Sequence, residues 1–220
     1  MRKFELISSN YRYYIYDTGG GTKEVPMSCV EQIICLVKSL AKGVLFATRD
    51  CLNFGIRNTV DKALSRLVKI GYIMRIARGV FARSDSPQTL FDVRQIAAFK
   101  AGVYNKIIAT HGADLAHRFG FAEDANAEAT FYVSGSSSSF DSILKRVHFK
   151  RASAKRIASG EKTVGTLIRA LWYLRLPEPN EVAHKVIASL SESEQIDLVQ
   201  AAPLVPGWLM TQVRLLLSAA

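Results

Sequence analysis

Residues 28–83 read SCVEQIICLVKSLAKGVLFATRDCLNFGIRNTVDKALSRLVKIGYIMRIARGVFAR. Ser28, followed three residues later by Glu31, makes a capping-box pattern ahead of Val30, Ile33, Ile34, Val37 and Leu40, apolar positions at helical spacing. Gly43 is expected to end that helix. Thr48 is expected to cap a second, short helix with Asp50 in its first turn and Gly55 as a left-handed stop. Asn58, with Asp61 at the third helical position, is expected to cap a third helix that buries Val60, Leu64, Leu67 and Val68 and closes at Gly71. Tyr72–Ile76 and Val80–Ala82 then read as two short strands joined around Ala77-Arg78-Gly79. Three helices followed by a hairpin with arginines at its tip is the order of a winged helix-turn-helix domain, here about residues 27–84.

In that architecture the third helix lies in the major groove with its N-terminal residues at base edges. With the apolar stripe turned inward, its opposite face carries Arg57, Asn58, Thr59, Lys62, Ser65, Arg66 and Lys69. Arg57, Thr59, Lys62 and Arg66 are the expected base contacts, because arginine and lysine can donate to the acceptors of a guanine edge and the threonine methyl can touch that of a thymine. Asn58 could instead read adenine, but a side chain that caps a helix cannot also read a base, and the capping preference of asparagine favours the first role. Arg49 and Lys42 suit phosphates, and Arg75 and Arg78 of the hairpin suit a flanking minor groove or its phosphates.

The run Val60-Asp61-Lys62-Ala63-Leu64-Ser65-Arg66-Leu67-Val68-Lys69-Ile70-Gly71-Tyr72-Ile73, continued by Arg75-Ile76-Ala77-Arg78-Gly79-Val80-Phe81, resembles the winged-helix signature of the AbiEi-like antitoxins. Phe81 stands where that family usually has tyrosine. The likeness covers residues 46–83 most specifically, and Ile107–Gly120 and Val147–Ile157 are similar to the family's C-terminal region. The resemblance implies a transcriptional repressor that binds inverted repeats of double-stranded DNA upstream of its own operon. It also implies that the C-terminal domain counteracts a nucleotidyltransferase-like toxin, as type IV antitoxins do, without a stable complex.

The chain carries a net charge of +10, and residues 1–83 hold 14 Lys/Arg against 6 Asp/Glu, so the basic charge is concentrated where the DNA-binding order is read. Residues 1–26 form an N-terminal arm, expected to hold a short helix or strand and then a linker at Gly19-Gly20-Gly21. That glycine run lacks the spacing of a phosphate loop. Residues 85–220 read as a mixed, mainly helical α+β domain. Its expected elements are a helix over Thr89–Tyr104, strands at Lys106–Thr110, Thr130–Val133 and Arg146–Lys150, and helices over Val164–Leu174, Glu181–Leu190, Glu192–Ala201 and Trp208–Leu217. The serine-rich stretch Ser134–Ser139 is expected to be a mobile loop.

Residues 145–156 are the densest basic run, and Lys145, Arg146, Lys150 and Arg151 form a candidate second patch, open to DNA, RNA, an acidic partner or plain solvation. A nucleic-acid enzyme, or its accessory subunit, holding substrate through that run is the alternative function. A module whose C-terminal helices bury a protein partner is compatible with the first reading. Carboxylates that could hold magnesium are scattered (Asp114, Glu123, Asp124, Glu128), Ser134-Gly135-Ser136 lacks a nucleophile elbow, and His111, Asp114 and His117 lack a third ligand at convincing spacing. No catalytic, metal or cofactor site is therefore expected. Cys29, Cys35 and Cys51 fit neither a zinc set nor a redox pair and read as buried thiols. The first residues lack the apolar run of a signal peptide, which places the chain in the cytoplasm as an expectation.

Overall fold

A computed structural model describes residues 12–16, 22–123, 128–175, 181–201, 203 and 205–218. The protein is mixed α+β, and it divides into two compact units, Met1–Asp92 and Val93–Ala220. The expected linker glycines, Gly19 to Gly21, and Asp124 lie outside the described residues.

The first unit opens with an antiparallel pair, β1 (Arg12–Tyr16) and β2 (Thr22–Pro26). Helix α1 (Cys29–Ser39) starts on the expected capping box: the Glu31 amide donates to Ser28 Oγ at 3.4 Å and the Ser28 amide to Glu31 Oε2 at 2.8 Å. Its end differs from expectation. Leu40, not Gly43, is the C-cap, because the chain turns extended there and the Arg83 guanidinium donates to the Leu40 carbonyl at 3.0 Å. Gly43 sits further on in a turn at φ +82°, its amide donating to Ser86 Oγ at 3.0 Å.

Strand β3 (Phe46–Ala47) follows, and then the expected short helix, Thr48–Phe54, which is 3₁₀. Thr48 does not cap it; the Asp50 carboxylate instead accepts the Ala47 amide at 2.8 Å. Gly55 is extended (φ 162°), so it is no left-handed stop. Helix α2 (Arg57–Lys69) is preceded by Ile56, which offers no side-chain cap. Asn58 lies one residue inside the helix, exposed, so the expected asparagine cap is corrected, and Asp61 pairs with Arg57 at 2.9 Å rather than completing a cap. The C-terminus follows expectation: Gly71 is left-handed (φ +70°), its amide donates to Val68 O at 3.0 Å, and the Tyr72 amide reaches Leu67 O at 2.9 Å, a Schellman arrangement.

Strands β4 (Ile73–Ala77) and β5 (Val80–Arg83) join through Arg78-Gly79, with Gly79 at φ +75° and a bulge between Arg75 and Ala77. The sheet order is β3-β5-β4. Ile33 and Val37 of α1, Phe46, Cys51, Val60, Leu64 and Leu67 of α2, and Ile73 and Phe81 of the sheet bury one another. Of the three free thiols only Cys51 is fully buried; burial, and then the Asp50 carboxylate, pushes it up to about 12.

The second unit begins with α3 (Val93–Val103), shorter than expected because Gln88–Leu90 forms a separate 3₁₀ turn. It continues through β6 (Ile108–Thr110), α4 (Gly112–Arg118), β7 (Ala129–Val133), β8 (Ser138–Asp141), β9 (Arg146–Arg151) and α5 (Ala154–Ala158). Four helices complete it: α6 (Thr163–Leu174), α7 (Glu181–Ala188), α8 (Glu192–Gln200) and α9 (Gly207–Ser218). The strand order is β6-β7-β9-β8, with β7 and β9 parallel. The expected mobile serine loop is instead bonded structure. Ser138 and Ser139 belong to the edge strand β8, Ser137 Oγ accepts the Arg151 amide at 2.9 Å, and Ser134 Oγ accepts the Ile107 amide at 2.8 Å.

An ion pair between a buried arginine and a partly exposed glutamate ties these elements together. Arg169 on α6, 1 % exposed, donates to Ser159 Oγ at 3.0 Å, to the Gly160 carbonyl, and to Glu161 Oε1 at 2.7 Å. Glu161 also accepts the Thr110 amide and hydroxyl, each at 3.0 Å, and pairs with Arg94 at 2.9 Å. The loop Ser159–Gly160 thereby lies directly on α6: a Cβ at Gly165 would sit 1.7 Å from the Ser159 carbonyl oxygen, and one at Gly112 2.4 Å from Tyr173 Cβ.

Two outcomes follow for stability. Gly165→Ala, which in an open helix would stabilise by about 1 kcal/mol, should here cost about 1–3 kcal/mol because backbone must move; urea unfolding measures it, and a gain in stability would show the close approach to be absent. For Glu161, burial pushes the carboxyl up, but the Thr110 amide, the Arg169 charge and Arg94 outweigh it and hold it below its ordinary value. The carboxylate's contribution is thus present above the ordinary glutamate range and lost as pH falls through the lowered folded value. Glu161→Gln should cost about 2 kcal/mol at pH 7, less than a fully buried pair because Glu161 is 36 % exposed, and should flatten the acid limb of the stability profile. An acid limb identical to wild type would contradict this.

Candidate nucleic-acid interface

The burial of α2 fixes what it shows to solvent. Val60, Ala63, Leu64 and Leu67 face the core, while Arg57, Asn58, Thr59, Lys62, Ser65, Arg66 and Lys69 are all exposed. At about 100° per residue, Asn58, Lys62, Ser65 and Lys69 run down the centre of the exposed face. Thr59 and Arg66 lie along one flank. Arg57 and Asp61 lie along the other, where their ion pair holds the guanidinium beside the helix start. Ile56, 75 % exposed, stands just before that end. Sequence reading omitted both Ile56 and the central position of Ser65; Ile56 stands four residues before Val60 and seven before Ala63, in line with the apolar stripe, so its spacing reads as core and gives no signal of its exposure.

The hairpin places Arg78 in the two-residue turn and Arg75 on β4, both exposed, with the Arg75 guanidinium 5.7 Å from the Phe81 ring centroid. Arg49 is exposed at the start of the 3₁₀ helix. Lys42 is committed locally: Asp85 lies 3.5 Å from its ammonium and 2.8 Å from Arg83. Phosphate contact by Lys42 would compete with that carboxylate.

The basic run 145–156 is not one surface. Pleating along β9 buries Val147 and Phe149 against α3 and exposes Arg146 and Lys150. Lys145 and Arg151 are exposed at either end of the strand. Arg146 lies 3.9 Å from Asp141. Arg156 turns inward, its guanidinium 4.4 Å from the Trp172 ring and 5.3 Å from the Tyr132 ring. His111, Asp114 and His117 do not converge. His111 caps α4, with Nδ1 accepting the Ala113 amide at 3.3 Å, and His117 Nδ1 lies 3.2 Å from the Ala122 carbonyl. Among the described residues no group of three His, Cys, Asp or Glu side chains is placed to hold a metal, and no helix is long and apolar enough to cross a membrane.

Among curated proteins no relative matches the chain. A family model does match, over residues 32–199, which spans α1 through α8 and hence both the exposed α2 face and the second unit. The chain belongs to that family, described as a family of unknown function (DUF6088).

Proposed function

We propose that the protein is a sequence-specific, double-stranded DNA-binding transcriptional repressor, with residues 27–84 acting as a winged helix-turn-helix. The observation that carries the proposal is the exposed face of α2. It presents Arg57, Lys62, Arg66 and Lys69 with Asn58, Thr59 and Ser65, and its single acid, Asp61, is paired with Arg57. Helix order supports the same reading, since α1, the 3₁₀ helix and α2 are followed by a hairpin whose tip carries Arg78.

In this reading α2 enters the major groove by its N-terminal half. Asn58, freed from capping, can pair with adenine, Lys62 with guanine, and Ile56 or Thr59 can touch a thymine methyl. Asp61 orients Arg57 toward the same base edges. Arg49, Arg75, Arg78 and Lys69 contact phosphates, which set register and supply salt-dependent affinity without sequence information. The AbiEi-like signature across residues 60–81 supports the narrower role of an autoregulating type IV antitoxin, opposing a nucleotidyltransferase-like toxin without stable complex. A nucleotidyltransferase-like gene beside this one would support that role, and its absence would favour a plain repressor.

Fluorescence anisotropy against the DNA upstream of the protein's own gene, with a scrambled duplex beside it, tests the proposal. Asn58→Ala and Lys62→Ala should each lower the preference for the upstream DNA about 10- to 100-fold, the size of one lost base contact. Arg78→Ala should weaken binding to both duplexes alike and reduce the salt slope by about 1. Equal, weak binding to both duplexes, unchanged in the α2 variants, would overturn the repressor reading.

A further inference from the structure

The four-stranded sheet of the second unit covers only one of its faces with α3, through Ala97 and Ala101 against Ala129, Phe131, Val133, Val147 and Phe149. Pleating puts Thr130 of β7 and His148 and Lys150 of β9 on the opposite face, with Thr130 paired to His148 and Tyr132 to Lys150. The His111 ring covers Tyr132, their centroids 4.5 Å apart, and Tyr173 of α6 packs edge-on against His111 at 5.4 Å. Beside them the sheet stays open as a cleft of about 530 Å³, lined by His111, Thr130, Ser137, His148, Lys150 and Tyr173.

The chemistry of these groups is one-sided. His111 is 5 % exposed, and its Nδ1 accepts the Ala113 amide, which leaves the ring proton on Nε2. That Nε2 is buried and has no hydrogen-bond partner among the described residues. Burial, and then the charges of Lys150 and Arg156, hold His111 down to about 4, so the ring is neutral and Nε2–H is a fixed donor. Thr130 and Ser137 add hydroxyls and Lys150 an ammonium. The one acid at the cleft among the described residues, Glu128, lies 3.3 Å from His148 Nε2. A buried donor without an acceptor is costly, and a tetrahedral oxyanion satisfies several such donors at once. The half-exposed Tyr173 ring offers a face for a planar group, and the volume suits a ligand of about mononucleotide size.

We propose that this cleft binds a small phosphomonoester bearing a planar ring, its phosphate held by Lys150, His111 Nε2–H and the Thr130 and Ser137 hydroxyls. Titration calorimetry of the full chain with AMP, adenosine and inorganic phosphate tests it. AMP should bind with a sub-millimolar Kd, inorganic phosphate should compete with it, and adenosine should bind at least 10-fold more weakly. Lys150→Gln, at an exposed position where folding should survive, should weaken AMP at least 10-fold with an unchanged Tm, whereas Lys145→Gln, outside the cleft, should not. A saturating 20-base-pair duplex should leave AMP binding intact. AMP binding no tighter than adenosine, equal effects of the two lysine variants, displacement by the duplex, or no binding up to 10 mM would each overturn the assignment.

Discussion

The first unit depends on one constraint, the burial of Val60, Ala63, Leu64 and Leu67 of α2 against Ile33 and Val37 of α1 and against Ile73 and Phe81 of the sheet. A 13-residue helix is marginal alone in water, so tertiary burial of its apolar stripe is what makes α2 persist. Once that stripe is fixed inward, helical geometry leaves no choice about which residues face outward. The Schellman closure at Gly71 turns the chain directly into β4, and the bulge at Ile76 lets Ile76 and Ala77 both be buried while Arg75 and Arg78 stay exposed. Helix face and hairpin tip are therefore consequences of a single packing arrangement.

The second unit buries Val164, Leu167, Ile168 and Leu171 of α6 against α7, α8 and α9, and to that apolar stripe it adds a buried charge. Arg169 interrupts the apolar sequence of α6 and is tolerated because Ser159, Gly160 and Glu161 wrap over it. Removing Glu161 leaves the buried Arg169 without a countercharge, and because Glu161 also holds Thr110 and Arg94, the loop before α6, strand β6 and helix α3 are tied by the same carboxylate. The tight approaches at Gly165 and Gly112 are the steric counterpart of that electrostatic tie. Gly165 lets the Ser159–Gly160 loop lie on α6, while Gly112 sets how closely α4 and α6 pack, and hence where His111 and Tyr173 stand beside the open face of the sheet.

Signals that are local in sequence were readable. The Ser28–Glu31 box, the αL glycine at Gly71 and the apolar spacing of α2 each depend on residues within one or two turns of chain. Features defined by distant partners were not. Strand β3 is two residues long and exists because Phe46 pairs with Phe81. Strand β8 lies in a serine-rich stretch whose composition reads as loop, and it is a strand because β9 supplies its partners. Asn58 was misread as a cap because helix start depends on how Ile56 enters from the 3₁₀ helix, which composition does not encode. The division of the 145–156 run between an exposed strand face and the inward-turned Arg156 likewise requires knowing where Tyr132 and Trp172 lie.

The exposed face of α2 is proposed to read DNA sequence. Selection of bound duplexes from a random library by the full-length protein, repeated with Lys62→Ala, tests it most directly. A sequence-reading face yields one recurrent motif for the wild type, with base preference relaxed at a defined position in the variant and retained elsewhere. Recovery of no motif, or of the same motif with the same preferences from both proteins, would contradict it.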